Sequence, residues 1–185
     1  MKKKLPATKQ RTSTNWKEEL FSWYKILLLT VSISIFINSS VIANSHVPTG
    51  SMETTIMSND RVVGFRLQYL FAKPKRGDVV IFQYPDDESI LFVKRVIGLP
   101  GETVKIVNGQ IYVNDNTYAL DEPYLAEEMR GSFGPYVIPD DYYFVMGDNR
   151  NHSLDSRYWK NTFVSQNKIL AKVFFRYFPN IELIN

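Results

Sequence analysis

Apolar residues in this chain follow two patterns. From Ile26 to Ala43 they run almost unbroken, as ILLLTVSISIFINSSVIA, with Phe21, Trp23 and Tyr24 just ahead. Eighteen helical residues rise about 27 Å, close to the thickness of a bilayer's hydrocarbon core, so the run predicts a membrane helix over 26–43. Thr30, Ser32 and Ser34 are tolerable in it because their hydroxyls bond back to main-chain carbonyls. Asn38-Ser39-Ser40 weakens its far end, and an extension through Trp23 compensates. Val41-Ile42-Ala43 also resembles the small-residue pattern of a cleaved leader. The long tail and long apolar run favour a retained anchor instead.

Beyond residue 44 the period changes to that of strands. Arg61–Phe65, Val79–Tyr84, Leu91–Ile97 and Tyr142–Met146 are short runs rich in β-branched and aromatic residues. Lys73-Pro74-Lys75-Arg76-Gly77, Tyr84-Pro85-Asp86-Asp87 and Leu99-Pro100-Gly101 separate them as turns. Thr103–Val107 and Gln110–Asn114 flank Asn108-Gly109, a strong hairpin signal. A last strand is expected from Ile169 to Arg176, with one helical turn at Val164–Lys168. Residues 115–139 hold Gly131, Gly134, Pro135 and several acidic residues with little periodicity, and read as an insertion or long loop. The predicted fold is mainly β, an open barrel or coiled antiparallel sheet with a small inserted subdomain and one N-terminal transmembrane helix.

Charge gives the anchor a direction. Lys2, Lys3, Lys4, Lys9, Arg11, Lys17 and Lys25 precede it against only Glu18 and Glu19, and no Lys or Arg occurs from Ile26 to Asn59. The positive-inside rule then sets residues 1–25 as a cytoplasmic basic tail and 44–185 as an extracytoplasmic domain. A formal net charge of +3 is too small to argue for nucleic acid. With no Cys there is no disulfide and no thiolate nucleophile, and with only His46 and His152 no zinc site is expected.

Three stretches carry candidate chemistry. Pro48-Thr49-Gly50-Ser51-Met52 sets a serine on a tight turn, where the Ser51 amide and the Thr49 hydroxyl are placed to stabilise an oxyanion. In Leu91–Ile97, alternation puts Phe92, Lys94 and Val96 on one face and Val93, Arg95 and Ile97 on the other. A lysine among apolar neighbours loses pKa on burial, and a neutral lysine is a competent general base for a serine. In Gly147–Arg157, Asp148 and Asp155 offer carboxylates to Arg95, and Ser153 a hydroxyl to orient the amine. His152 with Asp155 is a rival base, in a Ser-His-Asp arrangement that only geometry decides. Each residue alone has a blander reading: a loop serine, a snorkelling edge lysine, a turn threonine.

Together these stretches, with the Arg76-Gly77-Asp78-Val79-Val80 strand entry and the anchor, resemble a type I signal peptidase of the single-anchor, Gram-positive bacterial form, peptidase family S26. The resemblance implies Ser51 as nucleophile and Lys94 as general base, with the Ser51 amide and Thr49 hydroxyl as oxyanion hole. It further implies that Ser153 orients the lysine and that Met52 borders the shallow pocket for the residue before the cut. Arg95 with Asp148, and Asp155 with Arg157, match structural ion pairs. Thr54 stands where the family usually has Pro, and about 107–139 matches its variable insertion. The implied substrates are signal peptides of exported preproteins, cut after small residues of the Ala-x-Ala type. No cofactor or metal is implied, membrane lipid is a partner, and contact with the secretion machinery is compatible. The alternatives are a self-cleaving Ser-Lys protease of the repressor type and an inactive membrane-anchored β binding module.

Overall fold

The computed structural model of the chain describes residues 16–184, so Lys2, Lys3, Lys4, Lys9 and Arg11 of the expected basic tail lie outside the described residues. The described chain divides into two compact units that meet between Ile37 and Asn38.

The first unit is helix α1, Trp16–Phe36. It starts ten residues before the expected Ile26, because Glu18 and Glu19 in its first turn complement the positive end of the helix dipole. Its 21 residues span about 32 Å. With the following π turn the helical segment runs Trp16–Val41, and an 18-residue stretch of it reaches a mean hydropathy of 1.9, long and apolar enough to cross a membrane. The Thr30 hydroxyl bonds back to the carbonyls of Ile26 and Leu27 at 3.0 and 2.9 Å.

The boundary falls inside that π turn, Ile37–Val41, and the second unit continues from Asn38 into strand β1, Ile42–His46. The helical run is therefore shorter at this end than the expected 26–43: Ile42 and Ala43 are extended. Asn38, Ser39 and Ser40 compete for backbone hydrogen bonds and do not sustain a regular α-helix, which gives way to the π turn. Ala43 is instead buried in the β core and pairs with Gly64.

The remaining strands are β2 (Arg61–Phe65), β3 (Val79–Tyr84), β4 (Asp87–Gly98), β5 (Thr103–Val107), β6 (Gln110–Val113), β7 (Phe133–Val137), β8 (Tyr142–Met146), β9 (Val164–Ser165), β10 (Ile169–Phe178) and β11 (Glu182–Leu183). One eight-stranded sheet runs β1-β2-β10-β3-β4-β8-β9, with β11 on β10, and does not close. All its pairs are antiparallel. A second, three-stranded sheet, β6-β5-β7, is the inserted subdomain. Its hairpin turns at Asn108-Gly109, both at positive φ (48° and 81°), as the sequence predicts. The expected loop at 115–139 is corrected in part: Phe133–Val137 is a strand paired with β5. Gly134 and Pro135 hide it from a propensity reading, since both are poor strand formers. Val164–Lys168 divides into β9 and a single 3-10 turn.

Three apolar clusters hold the two sheets. One packs Val47, Met52, Ile56, Val79, Ile81 and Val93 beneath the Ser51 turn. Another packs Val80, Phe82, Val96, Val145 and Trp159 on the opposite face of β3 and β4. The third joins Ile97, Phe144 and Met146 to Val104, Ile106 and Ile138, fixing the inserted subdomain to the main sheet.

Candidate active site

Strand β4 presents two basic residues in succession to opposite sides. Its cross-strand register sets Lys94 against Val80 and Arg95 against Val79, so period-2 alternation sends their side chains to different faces. Both are almost fully buried, at 3% and 2% exposure. The two environments differ in charge. Arg95 forms a bidentate pair with Asp148, Nε to Oδ1 at 2.9 Å and Nη2 to Oδ2 at 2.7 Å. It also donates to the Gly77 carbonyl at 2.8 Å, and the Thr55 hydroxyl donates to Asp148 at 2.6 Å. Lys94 forms no ion pair among the described residues; its Nζ is hydrogen-bonded to Ser51 Oγ and lies 5.6 Å from the centre of the Phe92 ring.

Burial pushes the Lys94 amine down from the usual lysine range to about 8. Asp155 and Asp148 oppose the shift, and Arg157 adds to it. At that value a substantial fraction is neutral near physiological pH, able to accept a proton from a hydroxyl.

Ser51 sits in a 3-10 turn, Gly50–Met52, entered from an extended Thr49 and closed by the Glu53 amide donating to the Gly50 carbonyl at 3.2 Å. Thr49 Oγ1 is 3.3 Å from Ser51 Oγ. Asn149 ties the turn to the third stretch: its amide donates to the Ser51 carbonyl at 3.2 Å and its side chain to the Gly50 carbonyl at 3.0 Å. Gly147 makes the approach possible. A Cβ there would collide with the Ser51 carbonyl oxygen and with Ser153, so only glycine fits.

The sequence-predicted residues take different places. Asp155 is buried against Arg157, Oδ1 to Nε and Oδ2 to Nη2 each at 2.8 Å, and accepts from the Gly147 amide at 3.0 Å. Its carboxylate is thereby committed, and among the described residues no hydrogen bond links it to His152, which is exposed. The rival Ser-His-Asp arrangement is not assembled. Ser153 Oγ is buried and, among the described residues, makes no hydrogen bond; it lies beside Gly147 but does not reach the Lys94 amine. Met52 has no exposed surface and lies beneath the turn in the apolar cluster rather than in the wall of the groove. Thr54 is exposed.

A groove of about 300 Å³ leads to the pair. It is lined by Ser45–Thr49 and Ser51 on one side, by Ile90–Lys94 on the other, and by His152 and Leu154. Both walls are strand edges. Among the described residues β1 pairs only with β2, and the Leu91–Val93 part of β4 only with β3, because β8 joins β4 no earlier than Arg95. Among the described residues no strand covers the outer side of either, which leaves room for an extended peptide beside them.

Sequence reasoning missed Thr55, Glu122, Tyr124 and Arg150, which surround the Arg95–Asp148 pair. Thr55 follows Ser51 closely. Arg150 lies within the Gly147–Arg157 stretch without being singled out there, and Glu122 and Tyr124 are brought in by the fold, signalled in the sequence only as an acidic residue beside Pro and Tyr in a loop.

Similarity to known proteins spans helix and β domain alike. The family described as signal peptidase, peptidase S26, matches residues 20–178. Probable signal peptidase I-2 of Synechocystis sp. is 39% identical over 160 residues, covering 84% of this chain and 72% of that protein. Signal peptidase I of Bacillus licheniformis is 35% identical over 158 residues, covering 80% of this chain and 83% of that protein. A solved signal peptidase I from Enterococcus faecalis V583 is 34% identical, with a TM-score of 0.48 over 55% of this chain and 97% of its own. By the extent and identity of the sequence matches, the chain belongs to the signal peptidase family, peptidase S26, and is a serine peptidase hydrolase.

Proposed function

We propose that this peptidase is a membrane-anchored endopeptidase that uses a Ser51–Lys94 dyad to remove signal peptides from exported preproteins after small residues. The observation that carries the reading is the hydrogen bond between Ser51 Oγ and Lys94 Nζ in a buried niche where the amine has no carboxylate partner among the described residues. Neutral Lys94 takes the Ser51 proton as Oγ attacks the scissile carbonyl. The Ser51 amide and Thr49 hydroxyl stabilise the oxyanion, each such donor being worth about 3 kcal/mol in the transition state. Collapse of the tetrahedral intermediate leaves the signal peptide's new C-terminus as an ester on Ser51, while the Lys94 ammonium returns its proton to the departing amine. Water, deprotonated by Lys94, then hydrolyses the ester. Ser153 is proposed to orient the amine once substrate excludes water from the niche.

Substrate lies extended between β1 and β4, pairing with their open edges, and its alternate side chains enter the groove. The limited volume favours small side chains at the first and third positions before the cut. Helix α1 anchors the domain, with the basic tail on the cytoplasmic side and the β domain outside. Exposed Phe65, Leu70 and Phe71 are suited to touch lipid near the emerging substrate. Contact with the secretion machinery would follow from that location.

The test is cleavage of a peptide carrying an Ala-x-Ala site by the full chain in detergent, with Ser51→Ala and Lys94→Ala as controls. Loss of the cut in both supports the dyad; full activity in Lys94→Ala removes it. Labelling of the intact chain, but not Ser51→Ala, by a serine-reactive signal peptidase inhibitor separates an enzyme from an inactive binding module.

A further inference from the structure

The segment between β6 and β7 reaches across to the strand that carries Lys94. Arg150, fully buried, forms a two-pronged pair with Glu122, Nη1 to Oε2 at 2.8 Å and Nη2 to Oε1 at 2.6 Å. The Tyr124 hydroxyl donates to the same carboxylate at 2.6 Å, and Arg150 reaches that hydroxyl at 3.3 Å. The Tyr124 ring lies under the Arg95 guanidinium, 3.9 Å from ring centre to carbon, while the other edges of that guanidinium hold Asp148 and the Gly77 carbonyl. On its far side Arg150 Nε donates to the Gly147 carbonyl at 3.1 Å. Gly147 in turn lies in direct contact with the Ser51 carbonyl and Ser153.

We infer that Glu122 and Tyr124 are positioning residues for the reaction: a clamp supplied by the inserted subdomain that sets where Gly147 and Arg95 stand, and through them the Ser51–Lys94 pair. The inference rests on the dyad reading above. Its physical basis is the rigidity of buried, charge-assisted, bidentate contacts, which fix both distance and orientation. Without Glu122, Arg150 is a buried cation with no carboxylate, and it moves toward water or toward Asp148. Either movement releases the Gly147 carbonyl and the backbone packed on Ser51. Displacements of about an ångström at a nucleophile-base pair are enough to lower a rate by about two orders of magnitude. A clamp of this kind acts on turnover and on the amine's surroundings, and leaves the distant groove walls at Ser45–Val47 and Ile90–Leu91 intact.

The experiment measures kcat, KM and the pH profile of the full chain in detergent on an Ala-x-Ala peptide, with active enzyme counted by inhibitor labelling. Glu122→Ala is expected to lower kcat by about tenfold or more, with KM changed less than about threefold. The acidic limb of its profile should move to higher pH as water reaches the amine. Tyr124→Leu should behave alike, and Tyr124→Phe, which keeps the ring under Arg95, should restore most of the rate. If Glu122→Ala does not fold, Glu122→Gln, which keeps an acceptor but not the charge, takes its place with the same expectation at reduced size. Variants that lose thermal stability while labelled enzyme keeps its kcat and its pH limb would overturn the clamp and leave a purely structural role. An intact chain that fails to cleave would instead sink the dyad reading, and this inference with it; normal cleavage by the intact chain with unchanged variants sinks the clamp alone.

Discussion

Lys94 and Arg95 are neighbours on one strand, both almost fully buried, and their surroundings differ in kind. On one face a guanidinium meets a carboxylate in a bidentate grip, with a backbone carbonyl and a tyrosine ring beside it. On the other face an ammonium finds a serine hydroxyl and a phenylalanine ring. Arginine does not release its proton in a protein, so Arg95 can only be matched by an anion. Lysine can, and burial without a carboxylate partner drives it to do so. Burial of a cation is therefore not by itself a structural or a catalytic feature; the partner decides which. The same fold uses the matched cations, Arg95, Arg150 and Arg157, to brace the Gly147–Arg157 loop that packs against the Ser51 turn beside the unmatched one.

The largest effect that can break this contrast is on activity. Lys94→Ala or Ser51→Ala should lower kcat/KM by about a thousandfold or more, measured on the Ala-x-Ala peptide. Next comes the matched face: Arg95→Met leaves Asp148 buried and unpaired and should cost about 3–5 kcal/mol of unfolding free energy in a urea titration. A smaller loss in rate, about a hundredfold in kcat with KM little changed, is expected for Thr49→Val, with Thr49→Ser retaining activity. The smallest effect has the opposite sign. Lys94→Met should stabilise the fold at neutral pH, because the folded state disfavours the charged amine there. The lysine's folded value lies below its unfolded one, so the unfolded chain binds more protons between about pH 8 and 10.5. Stability of the intact chain should therefore rise with pH across that window, and the Lys94→Met variant should lose this slope. A destabilised Lys94→Met with an unchanged slope would mean that the two faces are not different in kind.

Much of this contrast is legible in the sequence, because a strand's alternation is exact enough to separate adjacent side chains. Alternation alone assigns Phe92, Lys94 and Val96 to one face, and the Asn108-Gly109 hairpin follows from turn chemistry. The start of α1 is not legible by hydropathy, since Lys17, Glu18 and Glu19 lower the average while the acidic pair favours a helix start. Strand β7 is concealed by Gly134 and Pro135, which fall in the irregular stretch of its pairing with β5, a tertiary choice. Glu122 and Tyr124 are hidden for a stronger reason. Glu122 meets Arg150 across 28 residues of chain and Tyr124 meets Arg95 across a similar span, and no local pattern announces contacts of that range. Met52 shows the converse. Its type suits a pocket edge and a core equally well, and the surrounding Ile56, Val79 and Val93 enclose it.

The most direct test of the account is the protonation of one amine. With lysines carrying a carbon-13 label at Cε, and Lys94 assigned by its loss in Lys94→Met, the Lys94 resonance of the full chain in detergent should titrate with a midpoint near pH 8, and the acidic limb of kcat/KM should share that midpoint. A Lys94 midpoint near 10.5, the value of an ordinary solvated lysine, with cleavage still rising through neutral pH, would contradict it.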